Sequence, residues 1–327
     1  MANPVTTGTT YAGEFSGKYI SAALLSGSTL ANGGVTVMPN VKYKSVIQKA
    51  ELGSIVKDAS CDYTASGALT LTERVIAPKE LQVNVTYCKK DLHATWQAAQ
   101  MGFSAFDNLP STFEDYVIAY TAEKVAAATE SSIWTGDEDN DGEFDGFSEI
   151  VSTDAGLPSG QEIAGATVTS SNVIAQLGSI VDAIPSTLYG KEDLHIYVSQ
   201  NIARAYVRAL GGFSALTNVA GTENVASVGA NGVGGQGTLW YGGGNLSFDG
   251  VKMFVANGLA DNDAIAAEKS NLFFGTGLLS DHNEVKVIDM ADIDGSQNVR
   301  VIMRYTAGVQ IGNISDVVTY GIPNSAN

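Results

Sequence analysis

Two alternating segments around a short acidic loop, close to the C-terminus, constrain this chain more than any other feature. They lie within Asn271–Tyr320 and run over about Glu284–Met290 and Asn298–Gly308, with the Gly-containing loop Ala291–Gln297 between them. In the second, Val299, Val301, Met303 and Tyr305 alternate with Arg300, Ile302, Arg304 and Thr306, the two-residue period of a strand. The first is mixed: Val285, Val287 and Asp289 alternate with Lys286, Ile288 and Met290. The expectation is a strand pair covered on both faces.

A length of 327 residues suggests about two domains. Hydrophobic content is an ordinary 44%, but 36 glycines and only 16% charged residues are not ordinary. Little charge and many small residues suit a surface covered by neighbours; a loop-rich β protein explains the glycines as well. The net charge of −17 is uneven. Residues 1–90 hold nine basic and six acidic side chains, 91–163 one and fifteen, and 164–327 eight and fourteen. Binding along nucleic acid by counterion release needs clustered Lys and Arg, and no such cluster exists. No run reaches the roughly 18 apolar residues of a membrane span. Met1–Thr10 lacks the basic start and apolar core of a secretory signal. Cys61 and Cys88 have no CxxC spacing and are expected as thiols in a reducing cytoplasm.

Met1–Pro39 is rich in Gly, Ser, Thr and Ala and reads as an extended arm. Lys42–Lys57 is a strand or a short helix, between which its pattern does not choose. Cys61–Cys88 reads as β: Leu69 and Leu71, a break at Pro78, then Leu81, Val83, Val85 and Tyr87 alternating with polar residues. A lone hairpin is marginal in water, so its apolar side must lie on its own domain or on a neighbour. Ser111 and Glu114 form a capping box for a helix running to about Ile133. Phe113, Val117 and Tyr120 form one edge of it; Ile118, Ala122, Val125 and Ala128 form an adjoining one. That wide arc predicts a central beam clasped by sheet. A second helix over Asn172–Ile184 places Val173, Ile174, Leu177, Ile180, Val181 and Ile184 on one face, ended by Pro185. Leu194–Val198 is a buried-type strand, and Ser199 caps a third helix that stops at Gly211-Gly212. Such alternation reads α/β or α+β. Gly211–Asn245 has the composition of a linker but contains Trp240 and Tyr241.

Few residues suggest chemistry. Asp137, Asp139, Asp141, Gly142 and Glu143 match the opening of a calcium loop, with oxygen ligands at positions 1, 3 and 5 and a Gly turn at 6. At position 12 the bidentate Glu is replaced by Ser148, with Glu149 one place late, and no helix pattern clearly follows. Bound Ca²⁺ on Asp137, Asp139, Asp141 and Glu143 therefore stands against a solvated acidic turn. His93, His195 and His282 have no metal-ligand spacing; His195, in an apolar strand, reads as structural. No GxSxG, HExxH or P-loop sequence occurs, and the glycines at 232, 234, 235 and 237 lack a strand–turn–helix frame. The chain is read as no enzyme, with no required cofactor.

The C-terminal run resembles that of the major capsid proteins of tailed bacteriophages, which share the Hong Kong 97 fold. Its wording is nearest to capsids of phages of Bacteroidetes-like hosts. Pro78–Leu92, Ile133–Phe147 and Ser199–Phe213 agree, in the family's order, so the resemblance spans about Cys61–Tyr320. It implies an α+β fold: an N-terminal arm (1–40), an extended hairpin loop (41–90), a peripheral domain with a long spine helix (91–165 and 281–327), and an axial domain (166–280). It implies that the hairpin lies across a neighbouring subunit, with Leu81, Val83 and Val85 among the contacts. Asp292 and Asp294 would meet symmetry mates, repelling unless cations or a neighbour's Arg300 or Arg304 pair with them. The family's Lys–Asn crosslink cannot be aligned to Lys79, Lys89, Asn313, Asn324 or Asn327. The implied function is a virion shell of hexamers and pentamers, assembled in the host cytoplasm around double-stranded DNA. Its partners would be copies of itself, a portal, and scaffold or decoration proteins, with no membrane. The alternatives are an encapsulin-like nanocompartment, which would hold protein cargo, and a secreted calcium-stabilised β adhesin, which would be a monomer.

Overall fold

The computed structural model describes residues 28–326 apart from 42, 54, 60, 62–64, 89–112, 211–245, 278–285, 291, 292, 294 and 297. The arm before residue 28, His93, His282, Trp240, Tyr241, Asp292 and Asp294 fall outside the described residues. Among the described residues, five helices carry the labels α1 (Ser28–Ala31), α2 (Phe113–Thr135), α3 (Phe147–Thr153), α4 (Val173–Asp182) and α5 (Gln200–Leu210).

The longest strand organises the first of three sheets among the described residues. β12 (Asn298–Ile311) pairs along one edge with β4 (Lys79–Cys88) and along the other with β11 (Lys286–Asp289) and then β10 (Leu272–Thr276), all antiparallel. β1 (Thr36–Pro39) closes this sheet in parallel with β10. From Val299 to Tyr305 every second side chain of β12 is buried while Arg300 and Arg304 are exposed. The expectation of cover on both faces is therefore corrected for this half of the strand. Two guanidinium groups with no carboxylate partner among the described residues would be costly to bury, so the polar parity stays open. Beyond Ala307, Gly308 is buried along with Val309 and Ile311, so both parities become covered.

Helix α2 forms the layer beneath. Its buried positions include Thr121, Val125, Thr129, Glu130, Ile133 and Trp134, whereas Ala128 of the expected apolar edge is exposed. Trp134 stacks at 5.4 Å on Phe147 and 5.2 Å on Tyr197. The buried Glu130 carboxylate accepts hydrogen bonds from the Ser28 hydroxyl and from the Thr29 backbone N–H and hydroxyl. The Trp134 indole N–H donates to the same Thr29 hydroxyl at 2.8 Å. These bonds clamp α1, and with it the entry to β1, onto α2.

The second sheet runs in the order β5 (Glu162–Ile163), β13 (Val318–Tyr320), β9 (Ala264–Glu268), β6 (Leu194–Val198), β8 (Val251–Val255), β7 (Ser247–Phe248). β6 and β9 are apolar on both parities, and the two faces serve different cores. Tyr197, Ile265 and Ala267 join the core under the first sheet; Leu194, Ile196, Val198, Ala264 and Ala266 join that of α4 and α5. On α4, Val173, Leu177, Ile180 and Val181 are buried as expected, but Ile174 is exposed. The ring nitrogen of His195 meets the Asp193 carbonyl at 2.8 Å, a structural bond. Both cysteines are free.

Candidate assembly surface

The third sheet is a two-stranded ribbon, β2 (Ser45–Leu52) with β3 (Leu69–Ile76). Lys42–Lys57, undecided between strand and helix in the sequence, thus supplies a strand. Opposed residues of an antiparallel pair share a face. One face therefore carries Val46–Val75, Gln48–Glu73, Ala50–Leu71 and Leu52–Leu69. It is apolar except for one polar rung, where the Gln48 amide donates to the Glu73 carboxylate at 2.9 Å. Nothing within the described chain covers it. Leu52 is 56% exposed, Leu69 62%, Leu71 59% and, in the tip loop, Val56 86%.

The opposite face fastens the ribbon to the body at one end only. Ile76 is buried, and Arg74 pairs with Asp154 of the α3 C-cap at 2.5 Å. Lys49 Nζ donates to Asn313 Oδ1 at 3.0 Å and Gln310 donates to the Val75 carbonyl. Outward from there, Thr70 and Thr72 are exposed as well as Leu69 and Leu71. The ribbon therefore projects. A ribbon of two strands is marginal by itself, and contiguous exposed apolar surface of this kind marks an interaction site. Covering each of these half-exposed side chains would contribute about 1 kcal/mol.

β4 corrects the expected contact residues. Leu81, Val83 and Val85 do not project: they lie opposite Tyr305, Met303 and Val301, and Tyr87 lies opposite Val299. Leu81 is buried, and Val83 and Tyr87 pack on the chain's own core. Apolar meets apolar at every second rung, so β12 satisfies β4 internally. Alternation told that β4 needed a partner, but β12, more than two hundred residues away in sequence, supplies it.

The acidic turn is built by its own carboxylates. Asp137 accepts the Asp139 N–H at 2.9 Å, Asp145 accepts the Glu138 N–H at 2.8 Å, and Glu143 accepts the Asp137 N–H at 3.2 Å. Gly142 turns the chain at φ +84°, and a bond of 2.8 Å from Gly146 N–H to the Gly136 carbonyl closes the neck. α3 begins directly after, contrary to the sequence expectation that no helix follows. Asp137, Asp139, Asp141 and Glu143 are not gathered into a ligand set: among the described residues no three His, Cys, Asp or Glu side chains are placed to hold a metal ion. Arg300 and Arg304 sit on the open face of the first sheet, opposite Thr86 and Gln82.

One groove of about 430 Å³ lies where the two-residue strand β5 meets the C-terminal segment. Gly165 and Gly321 approach so closely there that a Cβ on Gly165 would stand 2.5 Å from the Gly321 Cα. Burial raises the Asp263 carboxyl on its wall to about 6. Its other ionisable wall residue is Glu162, which caps the Asn324 N–H. No nucleophile–base pair lines it.

Sequence comparison finds no matching protein family and no matching curated protein. Structural comparison does find similar folds. The satellite phage P4 procapsid, which includes a size determination protein, superposes with a TM-score of 0.55 at 10% identity over 94% of this chain and 99% of that one. The capsid of an empty GTA particle gives 0.54 at 14% identity, covering 98% and 95%. The Mycobacterium phage Cain structure gives 0.53 at 11% identity over 91% and 90%. Across nearly its whole length, this chain has the α+β architecture of phage-type capsid shells, resembling the Hong Kong 97 fold.

Proposed function

We propose that this chain is the subunit of a phage-type shell that assembles by laying the β2–β3 ribbon across a neighbouring copy. One observation carries the reading: on a capsid fold, the ribbon's apolar face is left open along its length among the described residues, while the apolar parity of β12 is buried. In this reading α2 is the spine of a peripheral domain, and the second sheet with α4 and α5 forms the axial domain. Copies form hexamers and pentamers of an icosahedral head in the host cytoplasm, around double-stranded DNA. A portal and scaffold or decoration proteins complete the virion; the host, from the wording of the sequence alone, is Bacteroidetes-like. The work is mechanical, so no catalytic group is required. Many modest contacts add up after each meets its entropy cost.

Negative-stain microscopy and sedimentation of the purified full-length chain test this. Closed shells, tubes or capsomers are expected. A monodisperse monomer at high concentration sinks the proposal, and particles filled with protein cargo in place of DNA reassign the shell to a nanocompartment.

A further inference from the structure

We infer that the open face of the first sheet around Arg300 and Arg304 receives the acidic turn 137–145 of a second copy. The inference rests on the shell reading above and adds a second contact, distinct from the ribbon. Arg300, Ile302 and Arg304 occupy one parity of β12, and Thr86, Asn84 and Gln82 stand opposite them on β4. Both arginines and all three β4 residues are exposed, which makes a polar cradle with two cations spaced four residues apart. Glu80 is the only carboxylate of β4 on this face. Neither guanidinium has a carboxylate partner among the described residues.

The turn is the complementary piece. It holds Asp137, Glu138, Asp139, Asp141, Glu143 and Asp145, with Glu138, Asp139 and Asp141 exposed. Its one cationic contact among the described residues is with a carbonyl: Lys79 Nζ donates to the Glu138 oxygen at 2.6 Å. Like charges so crowded repel unless cations come from outside. In a chain with 18 basic and 35 acidic residues, cations that could meet this turn are scarce.

Geometry makes the contact intermolecular. The stems of the turn, Trp134 and Phe147, are buried in the core beneath the sheet, and Lys79 shares the parity of buried Leu81. Within one chain, turn and arginines therefore stand on opposite sides of the sheet. Joining different patches of two copies is a heterologous contact, the kind that closes rings. Exposed charge pairs set register and partner choice more than raw affinity, which suits a shell whose ribbon supplies the apolar contact.

The test is a charge swap in the full-length chain. One variant carries Arg300→Glu and Arg304→Glu, a second Glu138→Lys, Asp139→Lys and Asp141→Lys, and a third combines them. Sedimentation over a concentration series reads assembly, with thermal melting as the folding control. Each single-patch variant is expected to raise the concentration for half-assembly roughly tenfold, and the combined variant to recover most of it. Should an Arg-to-Glu variant melt early, Arg300→Gln with Arg304→Gln is expected to raise that concentration roughly threefold. Assembly of either variant at the wild-type concentration overturns the inference while leaving the shell reading intact. So does a combined variant no better than the worse single one, or an arginine variant that loses only packaged DNA. A wild-type chain that never assembles removes both.

Discussion

The pairs β2–β3 and β4–β12 are built from the same alternation and meet opposite fates. In β4–β12, Leu81, Val83, Val85 and Tyr87 face Tyr305, Met303, Val301 and Val299, and the core that includes α2 lies under them. In β2–β3, Val46, Ala50 and Leu52 face Val75, Leu71 and Leu69 with equal regularity, yet no layer follows among the described residues. Pairing satisfies the backbone of both. Only a third element satisfies the side chains, and the ribbon's open face has none among the described residues. An apolar face is therefore evidence of a partner, whereas its location depends on what else the chain can bring there.

Four substitutions probe this contrast, ranked by their effect on the folded chain. Val301→Asp puts a carboxylate at a fully buried position of β12 and is expected to cost about 4 kcal/mol or more, read by chemical denaturation. Glu130→Ala strands the Ser28 and Thr29 donors and is expected to cost about 2 kcal/mol while loosening β1 from its edge. Hydrogen exchange at residues 36–39 would show the loosening. Unchanged protection there would mean that β1 is held by its pairing with β10 alone.

Asp263→Asn tests a carboxyl held inward, in contrast to the solvated turn. Its folded value near 6 lies above the ordinary 3.8, because burial disfavours the charge. Folding takes up a proton between these values, so stability falls as pH rises from about 4 to 6 and the penalty is full above that. The variant is expected to gain about 1 kcal/mol at pH 7, discounted for the half of the group that faces water, and to flatten that part of the pH profile. Thermal melting at pH 5 and pH 7 reads both changes.

Leu71→Asp is the mirror of the first variant. On the open ribbon the same kind of change is expected to move monomer stability by no more than about 0.5 kcal/mol, while abolishing assembly. A large loss of stability with normal assembly would show that the ribbon face is covered within the subunit.

Period carried the local structure, while Ser111 of the expected capping box lies outside the described residues. The alternation from Val299 to Tyr305, the helix ending near Ile133, the helix after Asn172 and the strand Leu194–Val198 all stand where their spacing put them. Reading faces was less secure. Ile174 and Ala128 are apolar by type but exposed, since helical spacing tells which residues share a side and not how much of that side is covered. The ribbon was misplaced by one strand for a related reason. β3 and β4 are separated only by Ala77 and Pro78, and both alternate, so nothing local distinguishes the strand that stays from the strand that leaves.

Sequence alone determined the most regularly spaced elements, the acid surplus and the need for cover, because these follow from the residue types and their spacing. Tertiary structure decided which need is met at home. β12 stands beside β4 only after most of the chain has folded between them, and no local pattern encodes a pairing across that distance. The same is true of the arginines and the acidic turn, whose separation onto opposite sides of one sheet is a property of the assembled layers.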